Sequence, residues 1–308
     1  MSKHAVSVII PCYNSAKWIG AAVESCIDQG SCIKEIIIVD DHSTDNSWDI
    51  LTSLKEKHGS VIIEQNPLKG ANNARNYGFS LSSGNFIQWL DSDDFLLPGK
   101  LDAQLLFMEK NPSVDIAYSD WRLDIYDENK KLFKTEYKQC TVYKDFLYEL
   151  LTDNWIASHA YLLRRDTVQQ VVNMSGWNPL TSVAQDREFF TKAALAGATF
   201  GYIKGSFAVY NRRLKMGSVS RSMSDEDKAR NIIQLLNDFI EVLQLQSWIS
   251  ETNKKKYKEI LTTQILYYAS IYDIRGLNNN FSFKNTDWRL IKGYRSKLKM
   301  LKRLIVNK

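Results

Sequence analysis

The sequence has no long hydrophobic run. None of its 308 residues lies in a stretch of the roughly 18 consecutive apolar residues that a membrane-spanning helix needs. The short apolar run VSVIIP near the N-terminus has no small-residue cleavage site after it, so we interpret it as a strand rather than a signal peptide. The contents of 44% hydrophobic and 24% charged residues are typical of a soluble globular protein.

The four cysteines lack the spacing of a metal site or a disulfide framework. The sequence has no C-x-x-C pair, and none of the cysteines has a histidine partner nearby. We therefore expect four buried, inert thiols and a reducing, cytoplasmic environment. These residues are Cys12, Cys26, Cys32 and Cys140.

The net positive charge is concentrated at the C-terminus. Residues 289–308 contain eight basic residues and no acidic one, and without them the net charge of +5 would be −3, which argues against nucleic-acid binding.

The apolar residues of this tail share one helical stripe. Residues 285–308 are therefore expected either to lie on the anionic inner face of a membrane, making the protein peripheral, or to pack as an amphipathic helix on the protein.

Apolar strand-like runs alternate with amphipathic helical patterns over the first 125 residues. The runs VSVIIP, EIIIVD, SVIIEQ, NFIQWLD and VDIAYSD predict strands covered on both faces, and the segments between them predict helices. This alternation predicts an α/β fold with a mostly parallel, Rossmann-like sheet flanked by helices. After Ser224 the pattern is helical, so we predict a catalytic domain over 1–222, with halves 1–100 and 101–222, and a helical extension over 223–308.

Polar residues follow three of the predicted strands at the points where they end. They are Pro11-Cys12-Tyr13-Asn14, Asp40-Asp41 and the cluster of carboxylates at 91–94. Ligands of open α/β sheets bind beyond the carboxyl ends of the strands, so we expect the three clusters to meet in one crevice.

The carboxylates at 91–94 are expected to hold a divalent metal. The glycine-rich phosphate loops G-x-G-x-x-G and G-x-x-x-x-G-K-[ST] are both missing, so a bound diphosphate would need another partner. Asp91 and Asp93 supply hard oxygen ligands suited to Mn²⁺ or Mg²⁺, which can share phosphate oxygens. An EF-hand calcium loop is disfavoured because Leu96 stands where it needs glycine. A D-x-D phosphatase is disfavoured because Asp94 and Phe95 follow the motif.

Four segments together resemble family 2 glycosyltransferases, the inverting nucleotide-sugar enzymes with the A-type glycosyltransferase fold. The segments are VSVIIPCYN, IIIVDDHSTDNS, GANNARNYGFSLSSGNFIQWLDSDDFLLPGKL and GWNPLTSVAQDREFFTKAALAG. They occur in the order and spacing of the family, over about residues 5 to 220. The resemblance implies the fold of that family, a nucleoside-diphosphate sugar as donor and a glycan or lipid-linked oligosaccharide as acceptor.

The resemblance also implies roles for residues on the nucleotide side. Pro11 and Tyr13 would flank the base, and Asp40 would accept a hydrogen bond from its ring N–H, which suits uracil or thymine. Arg75 stands where the family has an arginine that contacts the base or phosphate.

On the diphosphate side, the resemblance makes Asp91 and Asp93 the metal motif, with Asp93 as the more direct ligand and Ser92 beside them at the donor. Arg213 and Lys215 would face the phosphates. The family often has a histidine where this chain has Lys215, which substitutes a point charge for a hydrogen-bonding imidazole.

Asp186 falls at the position of the catalytic base of the family, where it would accept the proton of the acceptor hydroxyl. The family commonly has Glu before this aspartate, whereas Gln185 stands here, and Glu188 is a rival base. A helix-capping role for Asp186 is the structural alternative. Trp155, His159 and Trp177 are candidates for the acceptor side, although burial in a core is the commoner fate of aromatic residues.

These inferences predict a metal-dependent, inverting glycosyltransferase that uses a UDP-sugar in surface polysaccharide biosynthesis. A non-catalytic nucleotide-sugar-binding homologue is one alternative, because of Gln185. A D-x-D phosphatase is the other.

Overall fold

The computed structural model describes residues 4–127, 131–152, 154–213, 223–272 and 274. They form two compact units. The described residues of the first unit lie within 1–144, 156–179 and 198–216, and those of the second within 145–155, 180–197 and 217–308. The predicted domain boundary at 222, Lys215 and the basic tail at 285–308 all lie outside the described residues.

The first unit is built on a nine-stranded sheet with the spatial order β3-β2-β1-β4-β8-β6-β9-β5, in which β7 pairs with β6. The strands β3, β2, β1 and β4 are parallel to one another. Beyond them, β8 is antiparallel to both of its neighbours, and β6 and β9 are again parallel. The strands are β1 Val6–Cys12, β2 Ile33–Asp40, β3 Val61–Gln65, β4 Phe86–Trp89, β5 Phe95–Leu96, β6 Ile116–Tyr126, β7 Leu132–Lys138, β8 Tyr161–Arg164 and β9 Phe200–Arg213.

Helices follow the strands where the apolar spacing predicts them, and the expected α/β fold is confirmed. The first unit contains α1 Ile19–Ile27, α2 Ser47–Lys57, α3 Ala71–Leu81, α4 Lys100–Lys110 and α6 Arg165–Asn173. The second unit contains α5 Phe146–Leu151, α7 Gln185–Leu195, α8 Asp225–Leu245 and α9 Glu251–Ile271.

The core of the first unit lies around its parallel strands. All seven residues of β1 are buried, as expected for a strand with helices on both faces of its sheet. Gly78 allows α3 to lie close to this strand, because a Cβ atom at Gly78 would be 2.6 Å from Cγ2 of Ile9 and 3.4 Å from Cγ2 of Val39. The packing of α3 on the sheet fixes the position of the residues that it presents at the carboxyl ends of the strands.

The strand order reverses next to β1. The chain places β2 and β3 on one side of β1 and then returns to place β4 on the other side. Open α/β sheets have their ligand crevice at such a reversal, outside the carboxyl ends of the strands. The residues that follow β1, β2 and β4 are the polar clusters that the sequence singles out.

The second unit is held together by helix contacts and by a buried arginine. Arg187 of α7 donates from Nε to the carbonyl of Leu150 at 2.9 Å, and from Nη2 to the carbonyl of Leu151 at 2.8 Å and Oε1 of Gln264 at 2.9 Å. These bonds join α7 to α5 and α9. Gly197, with φ +93°, follows the end of α7, where a left-handed residue is common. None of the helices in the described ranges is both long and apolar enough to cross a membrane.

Candidate active site

The loops after β1 and β2 are joined by hydrogen bonds around Asp40. This carboxylate is 1% exposed, and its two oxygens accept from the backbone N–H of Ser43 at 3.0 Å and from the hydroxyl of Ser43 at 2.5 Å. The hydroxyl of Ser43 in turn accepts from the N–H of Asn14, whose Oδ1 accepts from the N–H of Thr44 at 2.7 Å. The two loops are therefore set relative to each other before any ligand binds.

Tyr13 lies at the mouth of this crevice with 50% of its surface exposed, while Pro11 is buried within β1 and pairs with Val39. An exposed aromatic face next to a buried carboxylate suits a planar, hydrogen-bonding base. Each carboxylate oxygen can accept two bonds, so Asp40 keeps acceptor capacity beyond its bonds to Ser43.

Asp41 positions the start of α3, a role that the sequence alone does not reveal. Its carboxylate accepts from the N–H of Gly70 at 2.8 and 3.0 Å and from Nδ2 of Asn66 at 2.7 Å. Gly70 has φ +117°, which favours glycine, and immediately precedes α3. The buried Asp41 thus holds the end of the helix that carries Arg75.

Arg75 links α3 to the first carboxylate of the D-x-D motif. Its Nη2 donates to Oδ1 of Asp91 at 2.7 Å and its Nη1 donates to Oδ1 of Asn72 at 3.1 Å. The guanidinium lies over the ring of Trp177 at 4.5 Å, and Trp177 meets Trp89 edge-on with centroids 5.4 Å apart. Trp177 is only 1% exposed, so its placement favours a supporting role beneath Arg75 and does not favour the proposed contact with an acceptor.

Arg213 makes the equivalent contact with the second carboxylate. Its Nη1 donates to Oδ2 of Asp93, and its guanidinium stacks on Trp18 at 3.6 Å. Asn211, two residues earlier on β9, donates from Nδ2 to the carbonyl of Asp93 at 2.8 Å and from its backbone N–H to Oδ1 of Asp94 at 2.7 Å. Sequence reasoning missed Trp18 and Asn211, although Asn211 lies in the same NRR segment as Arg213.

Burial and mutual repulsion raise the pKa values of Asp93 and Asp94. Desolvation, and then the negative charge of Asp91, raise the pKa of Asp93, although Arg213 opposes them. Burial, and then Asp93 and Asp91, raise the pKa of Asp94 well above its usual range. His159 faces Asp94, with its Nδ1 3.4 Å from Oδ2, and burial lowers the pKa of His159 to about 4. His159 is therefore neutral at pH 7, and its 1% exposure gives it no surface for an acceptor.

Asp91 and Asp93 fit a cation that takes its remaining ligands from a substrate. Arg75 and Arg213 each occupy one oxygen, and the Asp91 and Asp93 side chains remain 31% and 40% exposed. After burial, the negative charge of Asp91 is the second cause of the raised pKa of Asp93, and Arg213 opposes both. No three His, Cys, Asp or Glu side chains are gathered to hold a metal in the part of the chain that the structure describes. This donor set therefore suits an ion that completes its coordination with phosphate oxygens and water.

Ser92 lies between these carboxylates and is 9% exposed. Its hydroxyl is 2.7 Å from the hydroxyl of Ser15, and the N–H of Ser15 donates to Oγ of Ser47 at 2.8 Å. Ser92 thus joins the D-x-D turn to the loop that follows β1.

The candidate base Asp186 belongs to the second unit, where it is the second residue of α7 and partly exposed. The rival Glu188 is 2% exposed and accepts from Nζ of Lys192 at 2.6 Å. A carboxylate in a buried ion pair is poorly placed to take up a proton, so this arrangement favours Asp186 over Glu188. Trp155, also in the second unit, is 41% exposed.

Comparison with known proteins finds similarity over most of the chain. The model of the family described as Glycosyl transferase family 2 matches residues 7–171. UDP-Glc:alpha-D-GlcNAc-diphosphoundecaprenol beta-1,3-glucosyltransferase WfaP of Escherichia coli is 40% identical over 119 residues, which are 39% of this chain and 47% of that protein. The matched part thus spans about half of that relative. Glycosyltransferase GlyG of Streptococcus pneumoniae serotype 4 is 25% identical over 75% of this chain and 78% of its own.

Among solved structures, residues 1–349 of TarS from S. aureus in complex with UDP-GlcNAc superpose with a TM-score of 0.62. The alignment covers 98% of this chain and 80% of that one at 18% sequence identity. At this level of identity the likeness shows a shared fold.

Proposed function

We propose that this chain, which belongs to glycosyl transferase family 2 and is a glycosyltransferase, moves a sugar from a UDP-sugar to a hydroxyl of a glycan or lipid-linked oligosaccharide with inversion at the anomeric carbon. The observation that carries the proposal is the pairing of Asp91 with Arg75 and of Asp93 with Arg213 in a crevice that also presents Tyr13. This arrangement offers a flat surface for a base and, next to it, a charged site for a diphosphate.

The choice of donor and acceptor class is supported by the similar proteins. The name of the E. coli relative gives UDP-Glc as its donor and a sugar linked to diphosphoundecaprenol as its acceptor. The TarS complex contains UDP-GlcNAc on the same fold. We therefore infer a UDP-sugar donor and, in surface polysaccharide biosynthesis, an acceptor of the lipid-linked class.

On the donor side, Tyr13 covers one face of the uracil and Asp40 accepts the hydrogen bond of its ring N–H. Asp91 and Asp93 would hold Mn²⁺ or Mg²⁺, which when bound supplies positive charge against the diphosphate leaving group. Arg75 and Arg213 keep the two carboxylates oriented.

On the acceptor side, Asp186 takes the proton from the acceptor hydroxyl as its oxygen attacks the anomeric carbon. The bond from that carbon to the diphosphate breaks, and its electron pair leaves with UDP. One displacement of this kind inverts the anomeric centre.

The test is calorimetric titration of UDP into the full chain with and without Mn²⁺, with GDP and TDP as comparators. We expect UDP to bind at least tenfold more tightly with Mn²⁺ than without it, since the metal offsets the repulsion between the carboxylates and the diphosphate. Asp93→Asn should lose this gain, whereas the matched control Asp225→Asn, an exposed aspartate of α8, should retain it. If none of the three nucleotides binds in the presence of Mn²⁺, the proposal is wrong.

A further inference from the structure

One face of the sheet continues from the D-x-D motif to the outer edge of the first unit. In the register of the strands, Asn211 of β9 pairs with Asp124 of β6, and Asp124 pairs with Thr135 of β7. Directly paired residues of neighbouring strands point to the same side of a sheet. Because Nδ2 of Asn211 donates to the carbonyl of Asp93, this row of side chains begins at the motif.

The middle of the row is a fixed polar platform. Asp124 is 2% exposed and accepts from the hydroxyl of Thr135 at 2.8 Å and from Nη2 of Arg122 at 2.8 Å. Arg122 precedes Asp124 by two residues and so lies on the same face. The buried carboxylate holds the hydroxyl and the guanidinium in place, while Arg122, 25% exposed, and the exposed Thr135 still offer hydrogen-bonding capacity to a polar ligand.

The outer end of the row is aromatic and exposed. Tyr137 pairs with Arg122, which places it on this face, and it is 68% exposed. Phe133 is the unpaired residue at the irregularity in the β6–β7 register, between Leu132 and Lys134, and it is 70% exposed. Two large rings left in solvent on one strand are a common mark of a binding surface. We name the surface formed by Arg122, Asp124, Thr135, Tyr137 and Phe133 the hairpin face.

The edge itself argues against a second β-strand as the occupant. β7 carries Lys134 and Lys138, with Lys131 immediately before it, and its pairing with β6 is interrupted by a register shift. Lysines and bulges on an edge strand oppose pairing with another chain. On the opposite face of β7, Lys134 and Lys138 both bind Glu136, at 2.7 and 2.6 Å. The rings of the hairpin face are therefore better explained by a ligand that lies on the face.

Sugar rings match the chemistry of the hairpin face. Aromatic rings cover the apolar C–H face of a sugar, while neighbouring polar side chains bond its hydroxyls. Since adjacent strands are spaced about 4.8 Å apart, β9 and β7 are separated by about 10 Å, a distance that a short oligosaccharide spans. A glycan lying across β9, β6 and β7 would thus have one end near Asp93 and the other on the exposed rings.

We infer that the hairpin face binds the oligosaccharide chain of the acceptor, with Tyr137 and Phe133 stacking on sugar rings beyond the one that reacts. This inference rests on the proposed function, because it assigns part of the acceptor to the same crevice. It also predicts that short acceptors are poorer substrates than longer ones, since they cannot reach the rings.

The test measures glycan binding and nucleotide binding separately on the full chain. A microarray of defined bacterial surface oligosaccharides identifies glycans that bind the wild type, and saturation-transfer NMR then measures the affinity of the strongest binder. The variant Phe133→Ala/Tyr137→Ala should bind this glycan about tenfold more weakly, from the loss of two stacked rings. Its binding of UDP with Mn²⁺ should be unchanged. Leu106→Ala, an exposed apolar residue of α4, and Lys134→Ala, on the opposite face of β7, are the controls and should bind like the wild type.

Three results would overturn the inference. In the first, the wild type binds no glycan on the array. In the second, the double variant binds the glycan as tightly as the wild type. In the third, the wild type is a dimer, and the double variant is a monomer that still binds the glycan. The last result would make the hairpin face a contact between copies of the chain. A fourth result would instead refute the proposed function and leave the hairpin face as a glycan site. In that result the wild type binds glycan but not UDP, and only the double variant loses glycan binding.

Discussion

Individual residues explain how the chain tolerates three carboxylates within four positions. Arg75 and Arg213 each neutralise one oxygen of the D-x-D pair, and each guanidinium is supported by a tryptophan ring. Asp94 is different, because it is fully buried, faces neutral His159 and has a strongly raised pKa. Within one short turn, two aspartates thus keep an exposed surface for chemistry and the third is a structural acceptor for the N–H of Asn211.

Replacement of Asp186 tests the assignment of the base. Asp186→Asn should lower the transfer rate about 10²–10⁴-fold, because an amide cannot accept the proton of the acceptor hydroxyl. Nucleotide binding should be retained. The measurement is the rate of UDP release in the presence of acceptor, together with calorimetry of UDP.

Glu188→Gln is the matched control for Asp186→Asn. It should lower the melting temperature, because Lys192 loses its buried partner, but should keep the transfer rate of the folded protein within a few fold. The opposite pattern, with the rate lost in Glu188→Gln and kept in Asp186→Asn, would make Glu188 the base.

The cysteines should be unreactive in the folded protein. Burial raises the pKa of Cys12, Cys26 and Cys140 to about 12 and that of Cys32 to about 11. Since the thiolate is the nucleophile and forms only as the pH approaches the pKa, the thiols stay protonated at pH 8. Mass spectrometry after iodoacetamide treatment at pH 8 should show no labelling, and treatment in 6 M guanidinium chloride should label all four cysteines. The expectation of four buried thiols holds for Cys12, Cys26 and Cys32, whereas Cys140 is only partly buried. Rapid labelling of any of the three buried cysteines in the native protein would contradict its described burial.

At the scale of elements, the close packing of α3 on β1 determines where Arg75 reaches. Gly78→Ala should lower the free energy of unfolding by about 1–3 kcal/mol, because the added methyl would overlap Cγ2 of Ile9 in a filled core. Urea unfolding of the wild type and the variant gives this difference. The matched control is Gly20→Ala in α1, where no atom lies within 4 Å of the added Cβ.

Gly20→Ala should leave the stability unchanged or raise it by up to about 1 kcal/mol, the difference in helix propensity between glycine and alanine. If both variants changed stability equally, close packing at Gly78 would not be the cause.

The long strand β9 contacts the D-x-D turn and pairs with β6, which carries part of the hairpin face. Its residues Asn211 and Arg213 contact the D-x-D turn, and its pairing with β6 continues the same face toward β7. Strand pairing therefore links the proposed donor site and the proposed acceptor surface within one sheet, which suits two substrates that must meet at one carbon atom.

At the scale of the whole molecule, the order of the strands places the crevice. The chain lays β2 and β3 on one side of β1 and β4 on the other, so three loops with polar residues open at the same edge of the sheet. The candidate base Asp186 belongs to a different compact unit from Asp91 and Asp93.

The sequence by itself determined the strand and helix alternation, the three polar strand ends and the membership of the family. Each of these depends on periodicity or on short motifs, which a local segment contains in full. By contrast, which distant residue a side chain contacts is not contained in any local segment. For example, 120 residues separate Arg213 from Asp93, and no local pattern indicates that they meet.

Only the tertiary structure decided that Trp177 lies beneath Arg75, that Glu188 is paired with Lys192 and that Tyr137 shares a face with Arg122. The physical reason is that strand order and register are set by the packing of the whole sheet. A shift of one residue in the register of β7 would turn Tyr137 to the opposite face without changing the composition or hydrophobic pattern of any other strand.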